Sequence, residues 1–412
     1  MRREKIIVTI IIIIFTLVVA ADDDIVNASS LNEKSPTKNT CQILSPKDRY
    51  NLLEDYWARP IPMQGKAPDG FTGLESSLYP EDCGVCHQLQ YADWSGSIHS
   101  MAVSPGLIGQ LSPYKDPDFA ISCYFCHAPL SEQQEYVFID GEYKKNERFD
   151  ERLKKSGVNC GVCHLREYRR FGPSPIKSRK PGKAHGGFIE SRFFEQSEFC
   201  AACHQFPEGA TSINGKLLEN TYQEWLASPY PAKGISCQGC HMPDRRHLFR
   251  GIHDREMVAS GVDIVVEEKI SGLQKGAVLI ITNSGTGHYF PTYVTPLIVV
   301  RGALLDKNGV TMEASIKEEY VGRRISLDLS REIADTRIPP MGNFVFDYLP
   351  EYTNNAKKVS LEVWVYPDSF YNEFFKALLG GGFFSSKKEI ETALAATESS
   401  PYLLFRREMD IL

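Results

Sequence analysis

The sequence predicts two unlike regions: a wrapper of short helices and loops over residues 48–260, and an antiparallel β-sandwich over 261–368, followed by helices over 369–412. Three observations point there. Cys-x-x-Cys-His occurs five times in the first region, at Cys83/Cys86/His87, Cys123/Cys126/His127, Cys160/Cys163/His164, Cys200/Cys203/His204 and Cys237/Cys240/His241. That same region is broken by Pro and Gly, has no long amphipathic period, and is too poor in aliphatic residues for an ordinary core. After Ser260 the pattern changes to short β-rich runs separated by turn residues.

Each Cys-x-x-Cys-His copy has the form of a haem c attachment signal. Two thiols one helical turn apart can add to the two vinyl groups while the adjacent imidazole takes the iron. One copy alone could be a redox dithiol or half a zinc site. Five copies, starting 40, 37, 40 and 37 residues apart, read as five covalently bound haem c groups with His87, His127, His164, His204 and His241 as proximal ligands. Five porphyrins would supply the apolar surface that the first region lacks.

Ten histidines occur in the chain, so five remain: His99, His185, His247, His253 and His288, one spare imidazole for each iron. If all five are distal ligands, every haem is bis-histidine, low-spin and without a vacant position, which is the coordination of an electron carrier. Met101 rivals His99 in Trp94-Ser-Gly-Ser-Ile-His99-Ser-Met101. His185 precedes Gly186-Gly187, where a flat ring can approach the backbone, and a surface histidine is the alternative. His247 and His253 flank Arg250-Gly251 just behind the last motif. His288 lies in the other region, in Asn283-Ser-Gly-Thr-Gly-His288-Tyr-Phe-Pro-Thr292, and is expected to project from a strand end onto a haem.

Thioether attachment follows export, and the amino terminus carries an address. Met1-Arg-Arg-Glu-Lys5 is basic, Ile6 to Ala21 is apolar, and Val19-Ala20-Ala21 offers small residues for cleavage. The apolar run falls short of the ~20 residues that span a bilayer, so residues 1–21 read as a signal peptide, with an uncleaved anchor as the alternative. Either places the chain in the periplasm or outside the cell. Residues 22–47 are polar and read as a flexible lead-in. Ten of eleven cysteines go to haem, leaving Cys41 as an unreactive thiol or a pairing site for a partner. A net charge of −6 argues against a general nucleic-acid role. The basic residues Arg166, Arg169, Arg170, Lys177, Arg179, Lys180 and Lys183, with Arg245-Arg246, leave three readings open: a solvated face, partners for haem propionates, or a docking patch for an acidic redox protein.

Short helices are expected at Tyr50 to Trp57 and Thr221 to Ala227. Strands are expected at Val262 to Val266, Ala277 to Thr282, Leu297 to Leu305, Val310 to Ser315, Phe344 to Tyr348 and Val359 to Tyr366, with a turn at Asp306-Lys-Asn-Gly309. Apolar residues alternate in Val359-Ser-Leu361-Glu-Val363-Trp-Val365, as in a half-buried strand. Ser369 to Leu379 and Lys387 to Thr397 read as two helices separated by Gly380-Gly381-Gly382, the first packing Phe370, Phe374, Phe375 and Leu378 on the domain.

Cys83-Gly-Val-Cys-His87, Tyr91-Ala-Asp-Trp94 and Ser97-Ile-His99 resemble the multihaem c-type cytochromes grouped around cytochrome c-554, an electron carrier in ammonia oxidation. The resemblance extends through Cys237-Gln-Gly-Cys-His-Met-Pro-Asp-Arg-Arg-His247 and Arg250-Gly-Ile-His253, and Gly287-His288-Tyr-Phe-Pro-Thr292 is similar to a β-sandwich element found after the haem domain in many of these proteins. It implies a multihaem cytochrome c domain with neighbouring haems stacked for electron hopping, the five motif sets as haem sites, and His99, His247, His253 and His288 as distal ligands. A fifth motif and the added sandwich depart from the four-haem pattern. Three functions stay open: a carrier between a redox donor and an acceptor protein, free or in a membrane or cell-surface complex; an oxidoreductase acting on a small nitrogen or sulfur compound at one five-coordinate haem; and a subunit of an extracellular cytochrome filament. No Cys-x-x-Cys-Lys motif occurs, and no catalytic residue is assigned.

Overall fold

The computed structural model describes residue 50 and residues 52–111, 117–175, 184–272, 274–351, 355–382 and 386–411. The expected signal segment, the lead-in with Cys41, and the basic run 177–183 lie outside the described residues. Among the described residues no helix is long and apolar enough to cross a membrane.

Residues 1–58 and 59–412 are two compact units. In the first, the expected helix shrinks to Leu53–Tyr56, with the Tyr50 ring set edge-on to Tyr56. The second unit holds all five motifs and all the strands.

Its motif region is a string of short helices, because the motifs themselves close single turns. Asn159 caps Cys160–His164 by accepting from the Gly161 and Val162 amides, and Pro80 opens Pro80–Gly84 where a missing N–H costs nothing. Pro117–His127, Cys160–His164, Glu198–His204 and Cys237–His241 each end at the histidine of their motif. One small apolar cluster forms here around Val103, Leu107, Leu111, Tyr124 and Ala128. Val85, Leu89, Ile98 and Met101 are left exposed by the polypeptide.

The strand region contains two larger antiparallel sheets and a two-stranded one, Arg323–Ile325 with Glu332–Asp335. One larger sheet runs Lys317–Val321, Leu297–Asp306, Ala356–Tyr366, Tyr402–Asp410; the other runs Asn343–Tyr348, Gln274–Thr282, Asp263–Ser271. Both larger sheets contribute to one apolar core, in which Leu279, Ile281 and Phe346 meet Ile298, Val300, Leu361 and Val363. Gly302 admits the Tyr348 ring between the sheets, since a Cβ there would stand 2.5 Å from it.

Five of the six expected strands lie inside these sheets. Val310 to Ser315 does not: the chain turns at Asp306–Gly309, makes one bridge at Thr311, and winds a short 3-10 turn at Glu313–Ser315. The Asp306 carboxylate draws the turn tight by accepting from the Asn308 and Val310 amides. The expectation of helices alone after residue 369 is corrected. Helices Ser369–Gly381 and Lys387–Ser399 are present, but Tyr402–Asp410 then returns as a strand against Ala356–Tyr366.

Charged clamps join the motif region to the strands. Arg323, 1% exposed, bonds Glu332 and the Ile213, Lys216 and Leu217 carbonyls. Arg337 binds Asp335 with two nitrogens and Glu224 and the Thr292 carbonyl with the third.

Candidate haem-binding site

The structure brings spare histidines to motif histidines. Ring centroids of His99 and His204 are 6.1 Å apart, those of His164 and His247 6.1 Å, and those of His241 and His288 6.4 Å with the rings 10° from parallel. His185 stands close enough to His87 to press down its basicity, after the burial that is the main cause. Met101 is half exposed and has no such histidine partner.

The segments that carry the spare rings at residues 99, 185 and 247 are positioned by contacts far away in sequence, and that of His288 by near neighbours. The His99 carbonyl accepts from the Val158 amide, and Trp94 donates to the Val158 carbonyl at 2.8 Å. Gly157, at φ +60°, passes so close that a Cβ would be 2.6 Å from the His99 carbonyl. Asp93 holds the His247 loop, accepting from the His247 amide and, with both oxygens, from Arg246. Glu75 accepts from the His185 amide at 2.6 Å, and the bond lowers its carboxyl to about 2. The His288 loop is fastened by Asn283 and Thr286, both donating to the His288 carbonyl.

His253 is placed otherwise. Its Nε2 lies 3.0 Å from both carboxylate oxygens of Asp368, so the nitrogen wanted for a metal is already engaged. His127 has no histidine ring partner at the separation of the other pairs among the described residues.

Haem c fits these residues. In His127, His164, His185, His241, His247 and His288 the Nδ1 donates to a backbone carbonyl, at 2.7 to 3.1 Å, which fixes the tautomer and leaves Nε2 as the lone pair. His204 Nδ1 is 2.8 Å from the Tyr293 hydroxyl instead. Two imidazoles on opposite sides of one iron, each nitrogen about 2 Å from the metal, place their ring centres about 6 Å apart, the separation observed. Burial pushes His99 to about 3 and His164, His204 and His288 to about 4, so all four rings are neutral and able to donate a pair. Although deep, none of these four is fully covered.

The motif cysteines also meet across the chain. Cys83 lies beside Cys160, Cys126 beside Cys203, and Cys200 beside Cys237, while Cys163 lies near both Cys200 and Cys203. The first and third motifs are therefore neighbours, the third and fourth likewise, and the second and fifth both adjoin the fourth.

Cys86 departs from this pattern. It is exposed, whereas the nine other motif cysteines are half-buried. The reason is local. Helix Pro80–Gly84 stops before it, Val85 forms the cap, and the Cys86 amide closes only one turn onto the Cys83 carbonyl, at 3.2 Å, beside exposed Val85 and Leu89. In the other four motifs the second cysteine stands inside a helix that runs on to the histidine. Thioether attachment depends on the spacing of the two thiols, which Cys83 and Cys86 keep, so Cys86 stays a candidate at the rim of the site.

Most described basic residues meet protein acceptors. Arg246 bonds Asp93, Arg245 bonds Glu195 and the Ser174 carbonyl, Arg170 the Tyr168 carbonyl, Arg169 Glu167, and buried Arg166 the Val162 carbonyl. Glu75, Asp93, Asp368, Tyr293 and the pair Glu219/Glu224 were not read from the sequence as site residues. Asp93, inside the quoted Tyr91 to Trp94 segment, and Tyr293, next to the His288 to Thr292 segment, left a signal of position without a role.

Residues 82–165 match the family described as cytochrome c554 and c-prime. No curated protein matches the sequence. Among solved structures, a penta-heme cytochrome c552 from Thermochromatium tepidum superposes with a TM-score of 0.55 at 17% identity, over 82% of this chain and 99% of that one. The fold is that of a multihaem c-type cytochrome. At this identity the likeness extends to architecture alone.

Proposed function

We propose that the chain is an exported pentahaem c-type cytochrome that passes electrons between redox partner proteins. The observation that carries the reading is the set of three imidazole pairs at 6.1, 6.1 and 6.4 Å. Cys83/Cys86, Cys123/Cys126, Cys160/Cys163, Cys200/Cys203 and Cys237/Cys240 would hold the five rings. His87, His127, His164, His204 and His241 would be proximal, with His185 opposite His87, His247 opposite His164, His99 opposite His204 and His288 opposite His241.

When bound, haem supplies one-electron chemistry at an iron whose six-coordinate state changes little with charge. The polypeptide orients the rings through the anchored Nδ1 atoms, excludes water with loops tied by Asp93, Glu75 and Asn283, and keeps neighbouring motifs in contact. That adjacency supports a route from the first through the third to the fourth motif, with the second and fifth as branches. The strand region, whose two larger sheets act as a β-sandwich, delivers His288 and steadies the fifth motif.

A second reading has one specific observation behind it. With His253 bound to Asp368, the iron at His127 would lack a distal histidine, and an open centre there suits an oxidoreductase acting on a small nitrogen or sulfur compound. EPR of the oxidised holo-protein and carbon monoxide binding to the reduced form test both. Five low-spin centres support the carrier in full. One high-spin, carbon monoxide-binding centre, with saturable nitrite, hydroxylamine or tetrathionate turnover from a viologen donor, moves the assignment to the second reading. A purified exported chain without thioether-bound haem would overturn both.

A further inference from the structure

His204 differs from the other proximal imidazoles in what it touches. His127, His164 and His241 donate Nδ1–H to backbone carbonyls, whereas His204 meets the hydroxyl of Tyr293, a residue 89 positions away. A phenol that accepts from Nδ1 has its own proton to place. Tyr293 lies beside Thr221, and Thr221 Oγ1 donates to Glu219 Oε1 at 2.8 Å. The groups thus follow one another in a line: His204 against Tyr293, Tyr293 beside Thr221, and Thr221 donating to the Glu219 carboxylate.

Thr221 is the point where this line can turn. Its hydroxyl has a single proton and three neighbours, because Thr292 Oγ1 lies 2.9 Å away and itself donates to Glu224 at 2.6 Å. With Glu219 charged, the Thr221 proton points at Glu219. Once Glu219 is protonated, its own O–H donates to Thr221, whose proton turns to Thr292 or Tyr293.

The surroundings single out Glu219 as the acid that can change state. Around it stand Glu224 on the adjoining helix, Tyr293 on the His288 loop and Cys126 of the second motif, with Arg337 and Asp335 beyond Glu224. Arg337 neutralises Glu224, whereas no cation pairs with Glu219 among the described residues. Burial, aided by the nearby Glu224 charge, pushes Glu219 up to about 8.

We propose that Glu219 is a redox-linked proton site for the fourth motif, read out through Thr221 and Tyr293 onto the proximal imidazole His204. This rests on the proposed ligation of a haem by His204. One electron from the donor protein is matched by one proton taken from water onto a Glu219 carboxylate oxygen, and both leave on oxidation. A charged Glu219 at the end of the line strengthens the imidazole as a ligand and favours the oxidised state; a neutral Glu219 favours the reduced state. Tyr293 and Thr221 are positioning residues.

The test is a spectroelectrochemical titration of the holo-protein at several pH values from 6 to 9. In the wild type one centre is expected to fall by about 59 mV for each tenfold drop in proton concentration over part of that range, the value for one proton per electron. Glu219→Gln should abolish that slope, Glu219→Asp should restore it, and Tyr293→Phe should weaken it while shifting the midpoint. Low-spin EPR signals, recorded in parallel, separate two failures. Their loss in the wild type removes the ligation on which the proposal rests; their presence with pH-independent midpoints, or with a slope unchanged in Glu219→Gln, overturns the proton site alone.

Discussion

Replacing His288 by Ala tests the pairing of the strand region with the fifth motif. The two rings stand 6.4 Å apart and 10° from parallel, so no rotation of a neighbour replaces the lost nitrogen without moving the loop. That loop keeps its place in the variant, because Asn283 and Thr286 grip the residue 288 carbonyl and not its side chain. One centre of the five implied by the motifs should therefore turn from low-spin to high-spin, about a fifth of the low-spin EPR signal. Added imidazole should enter the space left by the side chain and restore the low-spin signal, which a collapsed loop could not do. An EPR spectrum identical to wild type, or a high-spin signal that free imidazole leaves unchanged, would refute the trans pairing of His241 and His288.

Three further outcomes follow from the same geometry. His253→Ala should leave the low-spin count unchanged and cost at most about 1 kcal/mol in denaturant titrations, because the Asp368 pair it breaks is partly exposed; loss of a low-spin centre would instead make His253 a ligand. Arg337→Ala should cost roughly 3–5 kcal/mol, since Arg337 is 7% and Glu224 4% exposed and the variant strands buried carboxylates; a change below about 1 kcal/mol would show that the clamp is dispensable. Glu75 has its carboxyl lowered from 4.5 to about 2, so its hold on the His185 amide is complete above 4.5 and is lost as pH falls towards 2. Acid titration of the spectrum of the His87 centre should show a step in that window, and Glu75→Gln should remove it.

The motifs were legible because covalent haem attachment dictates residue type and spacing together, and chain folding adds only a single helical turn. What spacing does not record is depth: Cys86 has the same place in its motif as Cys163, yet one is exposed and the other half-buried. The spare histidines could be counted but not paired. His99 reaches His204 and His185 reaches His87 through folding of the intervening chain, and nothing local records such a meeting. His253 is one that counting does not place: Asp368, 115 residues away, lies against its Nε2. Strands with alternating apolar residues, such as Val359 to Val365, were readable from side-chain period. Tyr402–Asp410 was not, because Arg406-Arg407-Glu408 gives it an exposed, charged stretch more typical of a helix surface or a tail. Arg323–Ile325 and Glu332–Asp335 are too short to carry any period and owe their existence to the Arg323 clamp.

The meeting of cysteines from different motifs has a cost during maturation. A neighbouring motif's thiol lowers both Cys126 and Cys237, which favours the thiolate, the reactive form. A chain that folds ahead of its prosthetic groups in an oxidising compartment would cross-link Cys126 to Cys203 or Cys200 to Cys237 and lock both motifs against loading. The compactness that would let charge travel quickly in the finished protein thus makes its biogenesis a race between a reductant-protected loading step and air.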